Sequence, residues 1–329
     1  MNNRAFWAAA LAVALVPLVV PNSYVLGVLT TVGIYCIALI GLDLIKGYTG
    51  LLSLGQAGFM GVAAYVSGLL TTRAGWEPLA ALPVAVGAVV LVALVMAVPG
   101  SRLTGFNLAL ATLGFVIITE GLFRGLRDWT GGATGLVGVP NFRVAGYVFA
   151  SERDNFWLVW ACCLVIFWLT HNLVHSQVGR ALRAVRQDHL AAATMAIDVF
   201  RYKVEVFLIA AVYAGVAGSL YVHYMRFIAP DMVNWVVSTG LVTMLVLGGE
   251  GSLWGVFLGA ALLHLLPEVF NPLQDYLMLL QGLVLVALMV YLPGGLYSLV
   301  GSWRRRVRRP GGTGRADPIP ALVDKQVSP

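Results

Sequence analysis

The residues closest to a metal-binding or catalytic pattern are His171 and His175 in the stretch HNLVH. They lie four positions apart, so on a helix they share one face. Zinc proteases use this spacing but place a glutamate directly after the first histidine, and here that position holds Asn172. Imidazoles also suit the C-terminal end of a helix, where positive charge is favoured. We therefore expect a helix end at this point and no metal site.

The remaining reactive side chains form no catalytic group that the spacing can identify. Cys36, Cys162 and Cys163 lie in apolar runs without CxxC spacing and are interpreted as small buried hydrophobes. His223 and His264 are expected to pack as neutral side chains against neighbouring helices. The sequence has no Gly-Lys dipeptide and hence no GxxxxGK[ST] phosphate loop. We predict a chain that is not an enzyme and uses no cofactor, so that any ATP is bound by another subunit.

The composition explains why groups of this kind are scarce. Of the 329 residues, 59% are hydrophobic and 11% are charged, whereas a soluble domain carries roughly 25% charged residues. So few charges cannot cover a surface that faces water. We predict an all-α, polytopic bundle of transmembrane helices. The net charge of +6 is assigned to membrane orientation and lipid contact, and no nucleic-acid partner is predicted.

The apolar stretches predict about ten membrane crossings, because one span needs about 20 apolar residues. The first is expected to be a retained span and not a cleaved signal peptide. The eighth and ninth, separated by LGGEGS, form either two full spans or a re-entrant hairpin. The predicted spans are 5–21, 24–45, 51–72, 78–98, 103–123, 156–175, 203–224, 233–248, 253–270 and 276–292.

Ten crossings place both termini on one side, and the basic residues select the cytoplasm. The arginine-rich run RRRVRRP and the segment 176–203 then face the same compartment, and the loop 124–155, whose charges nearly balance, faces the other. Residues 1–302 are predicted to form the membrane domain. Residues 303–329 are predicted to be a basic, disordered tail that contacts anionic lipid.

Segment 176–203 is too polar to cross a membrane and is predicted to form one or two short surface helices. Asp188 is expected to cap the second of them. Two interpretations remain open, a loop that lies on lipid and a helix on which a cytosolic subunit docks. The pattern contains a basic stripe of Arg180, Arg183 and Arg186, apolar contacts from Leu182, Val185 and Leu190, and small residues at Ala191, Ala192, Ala193 and Ala196.

Small residues recur through the stretch GYTGLLSLGQAGFMGVAAY, where Gly55, Gly58 and Gly61 are spaced by three. Such faces bring membrane helices close together, which favours a role in helix packing. The alternative is that Ser53 and Gln56 line a transport pathway, with Gly47 and Gly50 allowing a break in the helix.

Four stretches in order resemble the branched-chain amino acid ABC transporter permease family of the LivM type. They are GYTGLLSLGQAGFMGVAAY, TGGATGLVGVP, GRALRAVRQDHLAAATMAIDVFRYKVEVFLIAAVYAGVAGSLY and VLGGEGSLWGVFLGA. The resemblance covers about residues 25–300. It implies a subunit of an importer in the bacterial inner membrane, with a second homologous permease, two ABC ATPases and a periplasmic amino-acid-binding protein as partners.

The same resemblance implies that residues 187–198 form the coupling helix, seated in a cleft of an ATPase. Gln187, His189, Ala193 and Ala196 stand where the family often has acidic residues and a glycine. The residues expected to dock on the ATPase are Arg180, Arg183, Arg186, Asp188, His189, Ala191, Ala192, Met195 and Ala196.

The substrate remains open, because similar permeases import urea or short amides. A different class of function is a stand-alone, ion-coupled secondary transporter or channel. Such carriers need charge near the bilayer centre, and Asp43, Glu120, Glu205 and Glu268 instead lie near predicted span ends, where carboxylates reach headgroups or water.

Overall fold

The computed structural model describes residues 22–103, 105–144 and 146–269, together with positions 13, 16, 17, 282, 286 and 295–297. Apart from those isolated positions, the predicted first span, the predicted tenth span and the basic tail lie outside the described residues. The side chain of Glu268 does so as well. The total of ten crossings and the side on which the termini lie therefore stay predictions.

The eight predicted spans inside the described ranges all correspond to helices. Six of the described helical segments are long and apolar enough to cross a membrane, which confirms an all-α membrane bundle. The α-helices are α1 (Ser23–Asp43), α2 (Gln56–Thr72), α3 (Pro78–Gly100), α4 (Phe106–Gly125), α5 (Arg127–Thr130), α6 (Glu152–His175), α7 (Gln177–Gln187), α8 (His189–Thr194), α9 (Val199–Met225), α10 (Trp235–Gly248) and α11 (Leu253–Val269).

Helix α9 lies at the centre of the bundle and packs against α1, α2 and α3, while α1 also contacts α6 and α11. Helix α3 shows how the sequence permits this packing. It buries small residues four positions apart, Ala81, Ala85, Val89, Ala93 and Ala97. In lipid, such a face lets helices approach closely. The opposite face of α3 is open and apolar, as expected for a helix that borders lipid.

Helices α10 and α11 form a pair joined by a short turn. A Cβ atom at Gly259 would collide with the backbone carbonyl of Met244, and one at Gly255 would lie 2.6 Å from the carbonyl oxygen of Gly248. The glycines of the stretch VLGGEGSLWGVFLGA therefore bring two helix backbones together.

The loop between α4 and α6 lies at one end of the bundle, called the loop end below. Its short strands are β1 (Leu136–Val137), β2 (Arg143–Val144) and β3 (Tyr147–Val148). Strand β1 pairs with β4 (Phe227–Ile228), directly after α9, and β2 pairs with β3. Two 3-10 turns, Gly132–Thr134 and Pro230–Val233, complete this end.

His223 fastens the loop to the helices. Its Nε2 lies 2.9 Å from the hydroxyl of Ser67, and its Nδ1 lies 2.9 Å from the carbonyl oxygen of Pro140. A carbonyl only accepts, so Nδ1 donates and Nε2 accepts from Ser67. The imidazole is 1% exposed, which confirms the predicted packing of a neutral His223.

Two predicted boundaries were wrong. The third span was expected to begin at residue 51, but α2 begins at Gln56. The polar segment was expected to run to residue 203, but α9 begins at Val199. Lys203 therefore lies inside a helix and is only 4% exposed, although it was counted among the charges that face water.

Candidate functional site

Residues 176–198, called the hydrophilic segment below, connect α6 to α9 through α7 and α8. Ser176 caps α7, since its hydroxyl accepts from the backbone N–H of Val178 at 3.1 Å. Asp188 caps α8, since its carboxylate accepts from the N–H groups of Leu190 and Ala191 at 2.7 and 3.2 Å. The predicted cap at Asp188 is thus confirmed. The two caps define where α7 and α8 begin.

Helix α7 is amphipathic and buries its apolar face. Leu182 and Val185 are both 0% exposed, which holds the hydrophilic segment against the bundle. Leu190 was predicted to make contacts of the same kind, but it is 80% exposed, and Met195 is 78% exposed. Helix α8 therefore presents two large apolar side chains on the outside of the molecule.

The alanines of α8 divide between two faces. Ala191, Ala193 and Ala196 are exposed, whereas Ala192, predicted to contact a partner, is 3% exposed. Helix α8 is only six residues long. One of its faces packs against the rest of the chain, and Ala192 lies on that face.

Helix α8 ends in a backbone arrangement that normally uses glycine. The N–H of Ile197 donates to the carbonyl oxygen of Ala192 at 3.2 Å, and the N–H of Ala196 donates to the carbonyl oxygen of Ala193 at 3.2 Å. This pair of bonds is a Schellman motif, which places the residue after the cap in the left-handed region. Ala196 occupies that position with φ of 59°, where a Cβ atom is unfavourable.

His189 is the first residue of α8, and it is half-buried. Burial of the ring, together with the positive charge of Lys203, lowers the pKa of His189. Its Nδ1 has no hydrogen-bond partner in the part of the chain that the structure describes. The ring is therefore favoured in its neutral form at physiological pH.

The three arginines of the predicted basic stripe have different surroundings. Arg183 donates to the carbonyl of Val174 at 3.1 Å and so fastens α7 to the end of α6. Arg186 donates to the carbonyl of Gly47. Arg180 is exposed. Two of the three arginines thus bind the chain's own backbone.

The chain is interrupted between α1 and α2, which is the alternative that Gly47 and Gly50 left open beside a role in helix packing. A π-helical turn, Leu44–Tyr48, ends α1, and the backbone stays irregular until Gln56. Gly50 has φ of +72°, a conformation that glycine adopts without strain. We call the end of the bundle that carries this break and the hydrophilic segment the segment end.

Polar groups of the predicted pathway stretch bind other helices. The Gln56 side-chain amide donates to the carbonyl oxygens of Ala38 and Ala210, at 2.9 and 3.3 Å. Ser53 is 1% exposed, and its hydroxyl accepts from the N–H of Gly55 at 3.3 Å. The Gln56 bonds tie the start of α2 to α1 and α9, whereas the Ser53 bond is local.

The glycines of the same stretch lie against other elements. A Cβ at Gly58 would come within 2.7 Å of the Phe115 ring on α4, and one at Gly61 within 2.9 Å of Val233. At Gly55 the nearest atom, from Thr112, would be 3.4 Å away. Packing explains Gly58 and Gly61.

Asp43 corrects a prediction made from sequence. Its side chain was expected to reach water or headgroups, but it is 0% exposed. One carboxylate oxygen accepts from the N–H of Gly251 at 2.7 Å, so the turn between α10 and α11 covers it. The π-helical turn brings Asp43 to that turn, an arrangement that no local pattern indicates.

The two histidines of HNLVH stack on each other, with ring centroids 4.2 Å apart. His175 Nδ1 lies 2.7 Å from the carbonyl oxygen of His171. The helix ends at His175, as predicted.

Comparison with known proteins agrees with this architecture. Residues 24–290 match the family described as the branched-chain amino acid transport system / permease component. The chain is 30% identical to the high-affinity branched-chain amino acid transport system permease protein LivM of Escherichia coli K12, over 90% of this chain and 75% of that protein. None of the solved structures compared with the chain matches it.

More distant relatives belong to related transport systems. The permease protein LivH of Salmonella typhimurium is 24% identical over 59% of this chain and 62% of its own length. The autoinducer 2 import system permease protein LsrC of Klebsiella pneumoniae is 30% identical over 53% of this chain and 54% of its own. The chain is a multi-pass membrane permease, and it belongs to the branched-chain amino acid transport system permease family.

Proposed function

We propose that the chain is a membrane subunit of an ABC importer for branched-chain or related amino acids in a bacterial inner membrane. A second homologous permease completes the pathway, two ATPases supply the energy, and a periplasmic binding protein delivers the substrate. The termini and the hydrophilic segment face the cytoplasm, where basic residues are retained.

The observation that carries this proposal is the build of the hydrophilic segment. Its two helices begin at capped residues, its inner face is buried through Leu182 and Val185, and its outer face presents Leu190 and Met195. Exposed apolar side chains on a rigid, polar segment indicate a protein partner. A nucleotide-driven subunit that binds here can move α7 and α8 as one body.

The docking surface comprises the residues of the predicted set that are exposed or half-buried and do not fasten α7 to the chain's other helices. Ala192 is excluded because it packs inside the chain, so a large side chain there would disturb α8 itself. Arg183 and Arg186 position the segment through backbone carbonyls. The remaining residues are Arg180, Asp188, His189, Ala191, Met195 and Ala196, joined by Leu190.

The substrate is assigned to the binding protein. Among the described residues of the membrane core, Gln56, Ser53 and Asp43 each bind a backbone group of this chain through one polar atom, and Gln56 Oε1 and Asp43 Oδ2 are buried without a hydrogen-bond partner among the described residues. The relative that serves autoinducer 2 import indicates that chains of this kind accept other cargo. We therefore favour amino acids on the similarity to LivM and expect weak contacts inside the membrane.

Affinity purification from native membranes, followed by identification of the co-purifying chains, tests the assembly. A second permease and ATPases are expected. The double variant Leu190→Asp with Met195→Asp should retain the second permease and lose the ATPases. Val137 is 71% exposed at the loop end, so Val137→Asp is the matched control and should retain both.

Two results would contradict the proposal. One is retention of the ATPases by the double variant. The other is concentrative uptake in vesicles that contain this chain alone, driven by an ion gradient and indifferent to ATP, which would identify a stand-alone carrier.

A further inference from the structure

Three separate stretches of the chain meet at the segment end. They are the break after α1, formed by the π-helical turn and the irregular stretch that follows it, the last turn of α7, and the turn between α10 and α11. In the sequence these stretches are far apart, since the hydrogen bond from Arg186 to Gly47 spans 139 positions. A residue that contacts several of them can hold the hydrophilic segment in register with the membrane helices.

Glu250 makes such contacts with both of its carboxylate oxygens. Oε1 lies 2.9 Å from Nζ of Lys46, in the π-helical turn. Oε2 lies 3.8 Å from Nη2 of Arg186, on α7. Arg186 also donates to the carbonyl of Gly47. One carboxylate thus joins α1 and α7 to the turn between α10 and α11.

The turn between α10 and α11 is shaped to present this carboxylate. Gly249 and Gly251 flank Glu250 with φ of 112° and 74°, conformations that other residues adopt only with strain. The N–H of Gly251 is held at 2.7 Å by the carboxylate of Asp43. The backbone on one side of Glu250 is therefore fixed to α1 independently of its side chain.

The stem of Arg186 lies against the break. A Cβ atom at Gly50 would come within 3.2 Å of Cγ of Arg186, so the absence of a side chain at Gly50 leaves room for the arginine. The Glu250 side chain is 28% exposed, and those of Lys46 and Arg186 are 16% and 41% exposed. Ion pairs with this much exposure contribute little to the free energy of unfolding. We therefore attribute to them a role in positioning the elements that they join.

We propose that Glu250 is a positioning residue that transmits movement from the hydrophilic segment to α1 and to the pair α10 and α11. The inference rests on the proposed function, in which an ATPase moves α7 and α8. When α7 shifts, Arg186 pulls on Glu250 and, through the same carboxylate, on Lys46. Without Glu250, α7 retains Leu182, Val185 and the Gly47 carbonyl but loses its connection to the turn between α10 and α11.

The experiment compares Glu250→Gln and the conservative Glu250→Asp in the assembled complex, reconstituted in lipid nanodiscs or vesicles. Amide hydrogen exchange of residues 177–187 reports how firmly α7 is held. Uptake per ATP hydrolysed reports coupling. Glu205→Gln is the matched control, because Glu205 pairs at 2.7 Å with Arg201, an exposed partner on its own helix.

Glu250→Gln should accelerate exchange in 177–187 by about two- to fivefold, since it removes the ion pair with Arg186 on α7. It should also lower uptake per ATP severalfold while the ATPases still co-purify. Glu250→Asp should keep most of the wild-type protection from exchange and most of the wild-type uptake per ATP. Glu205→Gln should change neither quantity. Arg186→Gln removes the same connection from the other side together with the bond to the Gly47 carbonyl, so its loss should be at least as large as that of Glu250→Gln.

Unchanged exchange and unchanged coupling in Glu250→Gln would overturn the inference, as would an equal loss in Glu205→Gln. If Glu250→Gln does not assemble, Arg186→Gln carries the same comparison. The proposed function fails in a different way, when the wild-type chain brings no ATPase or takes up substrate without ATP. Exchange in 177–187 can also be compared on the membrane chain without an ATPase, so the two failures are distinguishable.

Discussion

Replacement of Gly218 by alanine should separate the two helices at the centre of the bundle. A Cβ atom there would lie 2.8 Å from the carbonyl carbon of Met60 and 3.0 Å from its Cα. The added Cβ atom would lie closer still to the carbonyl oxygen of Met60. These are backbone atoms in the interior of α2, so no side-chain rotation can relieve the contact. Helix α2 must instead move away from α9 by about 1 Å or more to regain ordinary contact distances.

The expected cost of Gly218→Ala is about 1–3 kcal/mol of unfolding free energy, the usual range for an overpacked core. Movement of α2 also weakens the hydrogen bonds from Gln56 to Ala38 and Ala210, which adds to the loss. Reversible unfolding of the purified chain in mixed micelles, followed by circular dichroism, measures the difference from the wild type.

Gly240→Ala is the control, because no described atom lies within 4 Å of the added Cβ. In the interior of α10 this change removes the low helix propensity of glycine, so stability should stay the same or rise by up to about 1 kcal/mol. If Gly218→Ala and Gly240→Ala unfold with the same free energy, the close approach of α9 to α2 is refuted.

Three further changes test local features. Ala196→Gly should raise the free energy of unfolding by about 0.4–1 kcal/mol, because glycine suits the left-handed position that ends α8. Denaturant unfolding measures the change, and a lower stability would contradict the Schellman motif. The pKa of His189 is lowered in the folded chain, so the folded state resists protonation and stability should fall as the pH drops below about 6.5. His189→Gln should remove that part of the pH dependence of unfolding, and an unchanged dependence would argue against the buried ring. Gln56→Leu should cost about 0.6–2 kcal/mol in the same unfolding assay if the side chain only joins helices, whereas lower uptake at unchanged stability would instead favour a place in the pathway.

The membrane class and the positions of most helices could be predicted from the sequence. Long apolar runs leave little choice, since in lipid the backbone must bond within a helix. The cap at Asp188 was also predictable, because a cap depends on residues two or three positions away. The break before α2 was indicated by Gly47 and Gly50, although its end at residue 55 depends on contacts with other helices.

Features that depend on distant contacts could not be predicted. Asp43 seemed to lie at a span end, yet the N–H that it binds lies 208 positions along the chain. Ala192 and Leu190 carry no local signal of direction, because a helix of six residues shows too little periodicity to define a face. The role of Glu250 was missed for the same reason, since its partners Lys46 and Arg186 come from other stretches.

The glycine-rich motifs that relate this chain to its family are explained by backbone geometry. Gly251 lies in the turn that presents Glu250, with φ of 74°. A Cβ at Gly135 would collide with the carbonyl oxygen of Ile228 where β1 meets β4, and Gly218 adjoins the backbone of Met60. In these places the motif residues allow close approach and contribute no side-chain chemistry that could select a substrate. The motifs therefore identify a shared architecture, and their presence does not by itself define the cargo.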